Sequence, residues 1–318
     1  MSGKVEVEKL QELAEKGDAL AQTLLGAVCA KGVGGKQDFE KALKWYRMAA
    51  DQGDAVAQFN LGLMYYSGDG VLQDYKEALN WYRLAAERGY SIAQLKLGNI
   101  YYNGSVVKQN FAVAADWYRM AADNGEENAQ FVLAQMLEQG QGIRKNLADA
   151  ASRYRQAAKQ GNIEAKMRLA TMLSKGEGIE KDCNEAIRLF RVAAEHGIVD
   201  AWQSLGIIYA KGDGVEPDYV EAAKCYRKAA DFGDPASQLL LGSLFAKGHG
   251  VAQDDIQAHA WFNLAAAKGF CLGEISATRC RDEIAQKMTL DKIERAQSLA
   301  RELQKHIDTN LKTKATRK

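Results

Sequence analysis

The chain has 318 residues, 47% of them hydrophobic, and its 42 basic side chains nearly balance its 41 acidic ones. That balance excludes a global field of the kind that draws in nucleic acid or an anionic membrane. Two prolines against 29 glycines suit an all-helical chain with many short connections. Five cysteines at irregular intervals (Cys29, Cys183, Cys225, Cys271, Cys280) argue against a disulfide framework and for a reducing compartment.

The first residues, MSGKVEVEKLQELAEKG, are charged and amphipathic and lack the apolar stretch of a secretory signal. No segment reaches the length of a membrane span. A cytoplasmic location without membrane insertion is therefore expected. Residues 1–16 read as an N-terminal capping helix.

From Gly17 a strict period begins. Gly17, Gly53, Gly89, Gly125, Gly161, Gly197, Gly233 and Gly269 are spaced without a slip, so 17–268 holds seven repeats of 36 residues. Leu25, Leu61, Leu97, Leu133, Leu169, Leu205 and Leu241 share one slot. Gly32, Gly68, Gly104, Gly140, Gly176, Gly212 and Gly248 share another. An alanine pair (Ala49-Ala50, Ala85-Ala86 and so on) recurs in every repeat behind an aromatic, the Tyr82 slot.

Repeat two shows why. Ala57, Leu61, Met64 and Tyr65 follow helical spacing over roughly 54–67, and Gly68 ends that helix in a left-handed turn. Asp74 opens the second helix, roughly 75–87. Its slot holds only Asp or Asn, the residues that cap free backbone N–H groups. Ala78, Ala85 and Ala86 let neighbouring helices approach closely. One repeat cannot bury its apolar face alone, so stacking and caps are required. In residues 4–16, Leu10, Leu13 and Ala14 fall in the slots of Tyr82, Ala85 and Ala86. After Gly269 the pattern decays. Helices over roughly 275–287 and 290–304, with Thr289 as N-cap, form a C-terminal cap spanning 269–305. The polar, basic segment 306–318 is expected to be disordered.

Repeat two, GDAVAQFNLGLMYYSGDGVLQDYKEALNWYRLAA, resembles the Sel-like repeat (SLR) family, relatives of the tetratricopeptide repeats. The resemblance covers most of the chain. It implies an all-α fold, a right-handed α-solenoid superhelix of antiparallel helix pairs with a concave groove, and an adaptor role. Departures are mild: Val106 replaces a loop glycine, Ala134 and Ala170 replace the glycine after the shared leucine, and Arg153, Leu189 and Cys225 replace a tryptophan. One branch of the family has been described as β-lactamase-like with paired cysteines in each repeat. This chain lacks them, so a hydrolase is the disfavoured alternative. A secreted effector on the same frame is another.

No chemical constellation stands out. The four histidines show no metal-ligand spacing with cysteine. The Gly-x-Gly triplets follow helices rather than strands, which removes the phosphate-loop reading. A periodic arginine slot (Arg47, Arg83, Arg119, Arg155, Arg191, Arg227) reads as surface arginines packing their stems and pairing with nearby acids. The expectation is a non-enzyme with no cofactor and no metal. Its partner would be a protein or peptide.

Positions three, seven, ten and fourteen after each repeat glycine change class freely and lie on one helical face. The fold does not dictate them. This stripe, with the tyrosines at its edge, is the candidate floor of the groove. The residues singled out are Asn60, Tyr66, Lys96, Asn99, Tyr102, Gln135 and Arg168.

Overall fold

The computed structural model describes residues 2–33 and 35–316. The chain divides into two bodies, Met1–Gln160 and Gly161–Lys318. The first contains α1 (Ser2–Glu15) and four helix pairs: α2 (Ala19–Lys31) with α3 (Phe39–Asp51), α4 (Ala55–Ser67) with α5 (Tyr75–Glu87), α6 (Ser91–Asn103) with α7 (Phe111–Asp123), and α8 (Glu127–Gln139) with α9 (Leu147–Gln160). The second contains three pairs: α10 (Ile163–Lys175) with α11 (Cys183–Glu195), α12 (Val199–Lys211) with α13 (Tyr219–Ala230), and α14 (Pro235–Lys247) with α15 (Asp255–Ala267). A two-residue antiparallel hairpin, β1 (Cys271–Leu272) and β2 (Ile275–Ser276), precedes α16 (Ala277–Ala285) and α17 (Leu290–Thr316). Each repeat supplies one pair. Within each body, the second helix of a repeat also packs on the first helix of the next. The result is an all-α solenoid.

Local chemistry sets the boundaries of repeat two. The Asp54 carboxylate accepts from the Ala57 amide and opens α4. Gly68 closes it at φ 81°, donating its N–H to the Met64 carbonyl. Gly70, at φ 69°, is needed twice over, because a Cβ there would lie 2.7 Å from the Cβ of Phe39 in the preceding repeat. Asp74 then accepts from the amides of Lys76 and Glu77 to start α5.

The core is a seam of small residues and rings. Ala57, Leu61, Ala78, Tyr82 and Ala85 are fully buried. Burying a leucine side chain of this kind contributes about 1.5–3 kcal/mol. Gly62, after the shared leucine, is a matter of space: a Cβ on it would sit 2.5 Å from the Tyr82 ring. Several polar groups inside the seam are tied down as well. Buried Gln22, Gln58, Gln94 and Gln130 donate to the carbonyls of Ala14, Ala50, Ala86 and Ala122, closing each repeat onto the helix before it. The residue before the next repeat glycine often completes this ladder. Gln52, Asn124 and Gln160 donate to the side-chain oxygens of Gln22, Gln94 and Gln130 at 2.8–2.9 Å.

Three expectations need correction. Residues 306–316 are not disordered, because α17 continues to Thr316. Ile307 is 1% exposed, the Asn310 amide donates to the Asp231 carbonyl at 2.9 Å, and the Lys314 ammonium donates to the Gly197 carbonyl at 2.8 Å. Arg317 and Lys318, read as part of that tail, lie outside the described residues. Leu13 is 50% exposed although its slot is buried elsewhere. The alanines of that slot sit between two helices, whereas α1, at the end of the stack, packs chiefly on α2. A hairpin not expected from the sequence precedes α16 and takes Ile275 and Ser276 from the expected helix, so α16 starts at Ala277 rather than 275. Thr289 does cap α17, accepting from the Lys292 amide at 3.4 Å.

Candidate partner-binding face

The freely varying stripe lies on the first helices of the repeats. Asn60, Tyr66, Lys96, Asn99, Tyr102 and Gln135 belong to the first body and are all half-buried. Arg168, on α10, belongs to the second and is exposed.

The structure brings some of these together and sets others to internal tasks. The Lys96 ammonium sits 4.6 Å from the centre of the Tyr66 ring, joining repeats two and three. Tyr66 is held edge-on by Tyr75 at 5.2 Å. Asn99 accepts from the Tyr118 hydroxyl at 2.8 Å. Burial pushes the Tyr118 phenol up, so it stays neutral and remains a donor. Tyr102 packs edge-on against Phe111 at 5.2 Å, and its hydroxyl donates to Gln141 at 3.1 Å. Asn60 turns back on its own helix, donating to the Val56 carbonyl at 2.8 Å. Asn99 and Tyr102 therefore also brace the fold, while the Lys96–Tyr66 pair offers a cation and a ring at one spot.

Two residues that sequence reasoning passed over share this stripe. Leu20 and Leu24 of α2 are 64% and 47% exposed, in the same slots as Val56 and Asn60. Val56 and Ile92, in the slot of Leu20, are 38% and 43% exposed. Slot three thus presents an apolar side chain to solvent in each of the first three repeats, then turns polar at Asn128. Reading that slot down the chain, rather than ranking individual polar residues, would have found it.

Several members of the arginine slot meet hydroxyls or rings. Arg47 and Arg191 donate to the hydroxyls of Tyr65 and Tyr209, and Arg227 lies over the rings of Phe245 and Trp261. Arg119 does meet an acid, Asp116, at 3.0 Å. His249 is exposed in its loop and rests on Tyr219, 4.9 Å between ring centres. All five cysteines are free thiols. Among the described residues no three His, Cys, Asp or Glu side chains converge as a metal set, and no helix is long and apolar enough to cross a membrane.

Stacked helix pairs with a locked seam and an unlocked face define a helical-repeat scaffold. The chain belongs to the Sel1 repeat family: the family model matches residues 19–54, 55–90, 91–126, 128–162, 163–198, 204–234 and 235–270. Such scaffolds typically mediate protein–protein interaction. Among solved structures, the chain is similar to a Sel1 repeat protein from Oxalobacter formigenes, with 32% identity and a TM-score of 0.57, over 67% of this chain and 86% of that one. It is also similar to c5321, described as a protective antigen of uropathogenic Escherichia coli with an SLR fold. That match has 28% identity and a TM-score of 0.53, over 98% of this chain and 81% of the other. A comparison with curated proteins finds no match.

Proposed function

We propose that this protein is a binding scaffold, and that its partner, a protein or peptide, lies along the first-helix face of the first body. The observation that carries this reading is the exposed apolar slot on α2, α4 and α6: Leu20, Val56 and Ile92. The seam does not need these side chains, since the same slot is Asn128 in the next repeat. Aligned apolar side chains left in water at successive repeats favour association, because covering them removes apolar area from solvent. The Lys96–Tyr66 pair beside them adds a polarised anchor of the type common at interaction hot spots. Leu24 extends the apolar surface at the N-terminal end. Asn60 and Gln135 border it, and Arg168 marks the corresponding face of the second body.

The test is affinity capture from the native cell with wild-type protein and with the Leu20→Asp, Val56→Asp, Ile92→Asp triple variant. All three positions are solvent-exposed, so the helical circular dichroism of the variant should match the wild type. The expected result is a specific protein retained by the wild type and lost by the variant. Equal retention by both would remove this face as the binding site.

A further inference from the structure

The residue five after a repeat glycine and the residue just before the next one form a recurring pair. In six repeats both members are polar: Gln22 with Gln52, Gln58 with Arg88, Gln94 with Asn124, Gln130 with Gln160, Lys166 with His196, and Gln238 with Lys268. In the sixth repeat the pair is Trp202 with Phe232. The polar ladder is thereby broken. Where Asn124, Gln160 and Lys268 donate to the carbonyls of Gly89, Gly125 and Gly233, Phe232 has no donor for Gly197. Lys314 of α17 reaches across to supply it.

A cavity of about 710 Å³ opens at this break, wholly within the second body. Trp202, Phe232 and Val199 form its apolar walls, and the last turns of α17 close one side. Two ammonium groups face the rings. Lys228 stands 4.0 Å from the centre of Trp202, and Lys314 stands 5.5 Å from that of Phe232. Glu195 is the carboxylate that lines the cavity with them. The volume falls in the range of pockets that hold small organic molecules, about 300–1,000 Å³.

We propose that this cavity is a binding site for a small aromatic organic anion, a carboxylate or sulfonate on a flat apolar body. The ring of the ligand packs against Trp202 and Phe232. Its anionic group pairs with Lys228, which turns from the indole face to meet it, and with Lys314 at the rim. The site is independent of the first-helix face of the first body and does not depend on the partner reading.

The test is a fluorescence titration of the full-length protein with 1-anilinonaphthalene-8-sulfonate, alongside its uncharged relative N-phenyl-1-naphthylamine. Saturable binding of one sulfonate per chain is expected, with the uncharged probe at least tenfold weaker. Trp202→Gln with Phe232→Gln restores the polar pair of the other repeats and should weaken the sulfonate at least tenfold. Lys228→Gln changes an exposed side chain that the fold does not need, and should weaken it severalfold and reduce its salt dependence. That variant decides the matter even if the double variant fails to fold. No saturable binding to the wild type, equal binding of the two probes, or unchanged binding by Lys228→Gln would each overturn the proposal.

Discussion

Tyr82 and Tyr118 fill the same slot in successive repeats, both buried and both pushed to higher pKa by that burial. They differ in one neighbour. Position ten of the repeat is Asn99 beside Tyr118 and accepts its hydroxyl, but Leu63 stands in that position for Tyr82, whose hydroxyl has no partner. Asn99→Leu should therefore leave a second buried hydroxyl unsatisfied and cost about 1–3 kcal/mol in urea denaturation. An unchanged midpoint would show that water reaches the Tyr118 hydroxyl. The same reasoning separates structural from available residues on the candidate face: a loss of binding on changing Asn99 would be ambiguous, whereas a loss on changing Ile92 would not. His259 gives a second residue-scale prediction. It is 4% exposed in a slot that holds Leu43 and Leu79 elsewhere, and its Nδ1 has no partner. Burial lowers its pKa, the Arg281 guanidinium lowers it further, and Asp282 opposes them. The folded state thus keeps the imidazole neutral, while the unfolded chain takes up a proton below about pH 6.5. Stability should fall as pH drops from 7 to 5, by at most about 1.4 kcal/mol per unit for this group. His259→Leu should flatten that part of the profile in thermal melts at graded pH, and an identical slope in both proteins would refute it.

At the scale of the element, most helices and their ends were legible in the sequence because most boundaries are written in residues with one job. Asp54, Gly68 and Asp74 cap, stop and restart the chain where the period puts them. Gly104, at φ 66° with a Cβ position 2.8 Å from Gln109, tests this logic. Gly104→Ala should cost about 1–2 kcal/mol for the left-handed backbone alone, read as a lowered midpoint of the helical circular dichroism signal. A midpoint at or above that of the wild type would mean the turn does not depend on glycine. The end of α17 was not legible. Its docking stripe has one apolar residue, Ile307, followed by Asn310 and Lys314, whose partners are backbone carbonyls of Asp231 and Gly197. Composition counts such a stripe as polar and exposed, and no periodicity of the helix itself reveals where a distant turn offers a carbonyl. The glutamine ladder escaped for a related reason. Gln58 and Gln94 look like surface residues until the Ala50 and Ala86 carbonyls are seen beneath them.

At the scale of the whole molecule, a seam of alanines, leucines and rings repeated seven times makes stability a sum of neighbouring interfaces, and it leaves much of one face of each first helix outside the seam. Sequence alone singled out that face as a candidate, because residues that vary between repeats of one chain are those the common fold constrains least. It did not rank them. Lys96 and Tyr66 touch each other, Tyr102 is committed to Phe111 and Gln141, and the apolar slot of Leu20, Val56 and Ile92 is exposed, facts that depend on burial rather than on identity. The central claim is that a partner covers this face. Hydroxyl-radical footprinting of the protein with and without its captured partner tests it most directly. Bound partner should lower side-chain oxidation at Leu20, Val56 and Ile92 severalfold and leave Leu72 and Leu84, exposed in an inter-helix loop and on a second helix, unchanged. Protection of Leu72 and Leu84, with Leu20, Val56 and Ile92 oxidised as in the free protein, would contradict it.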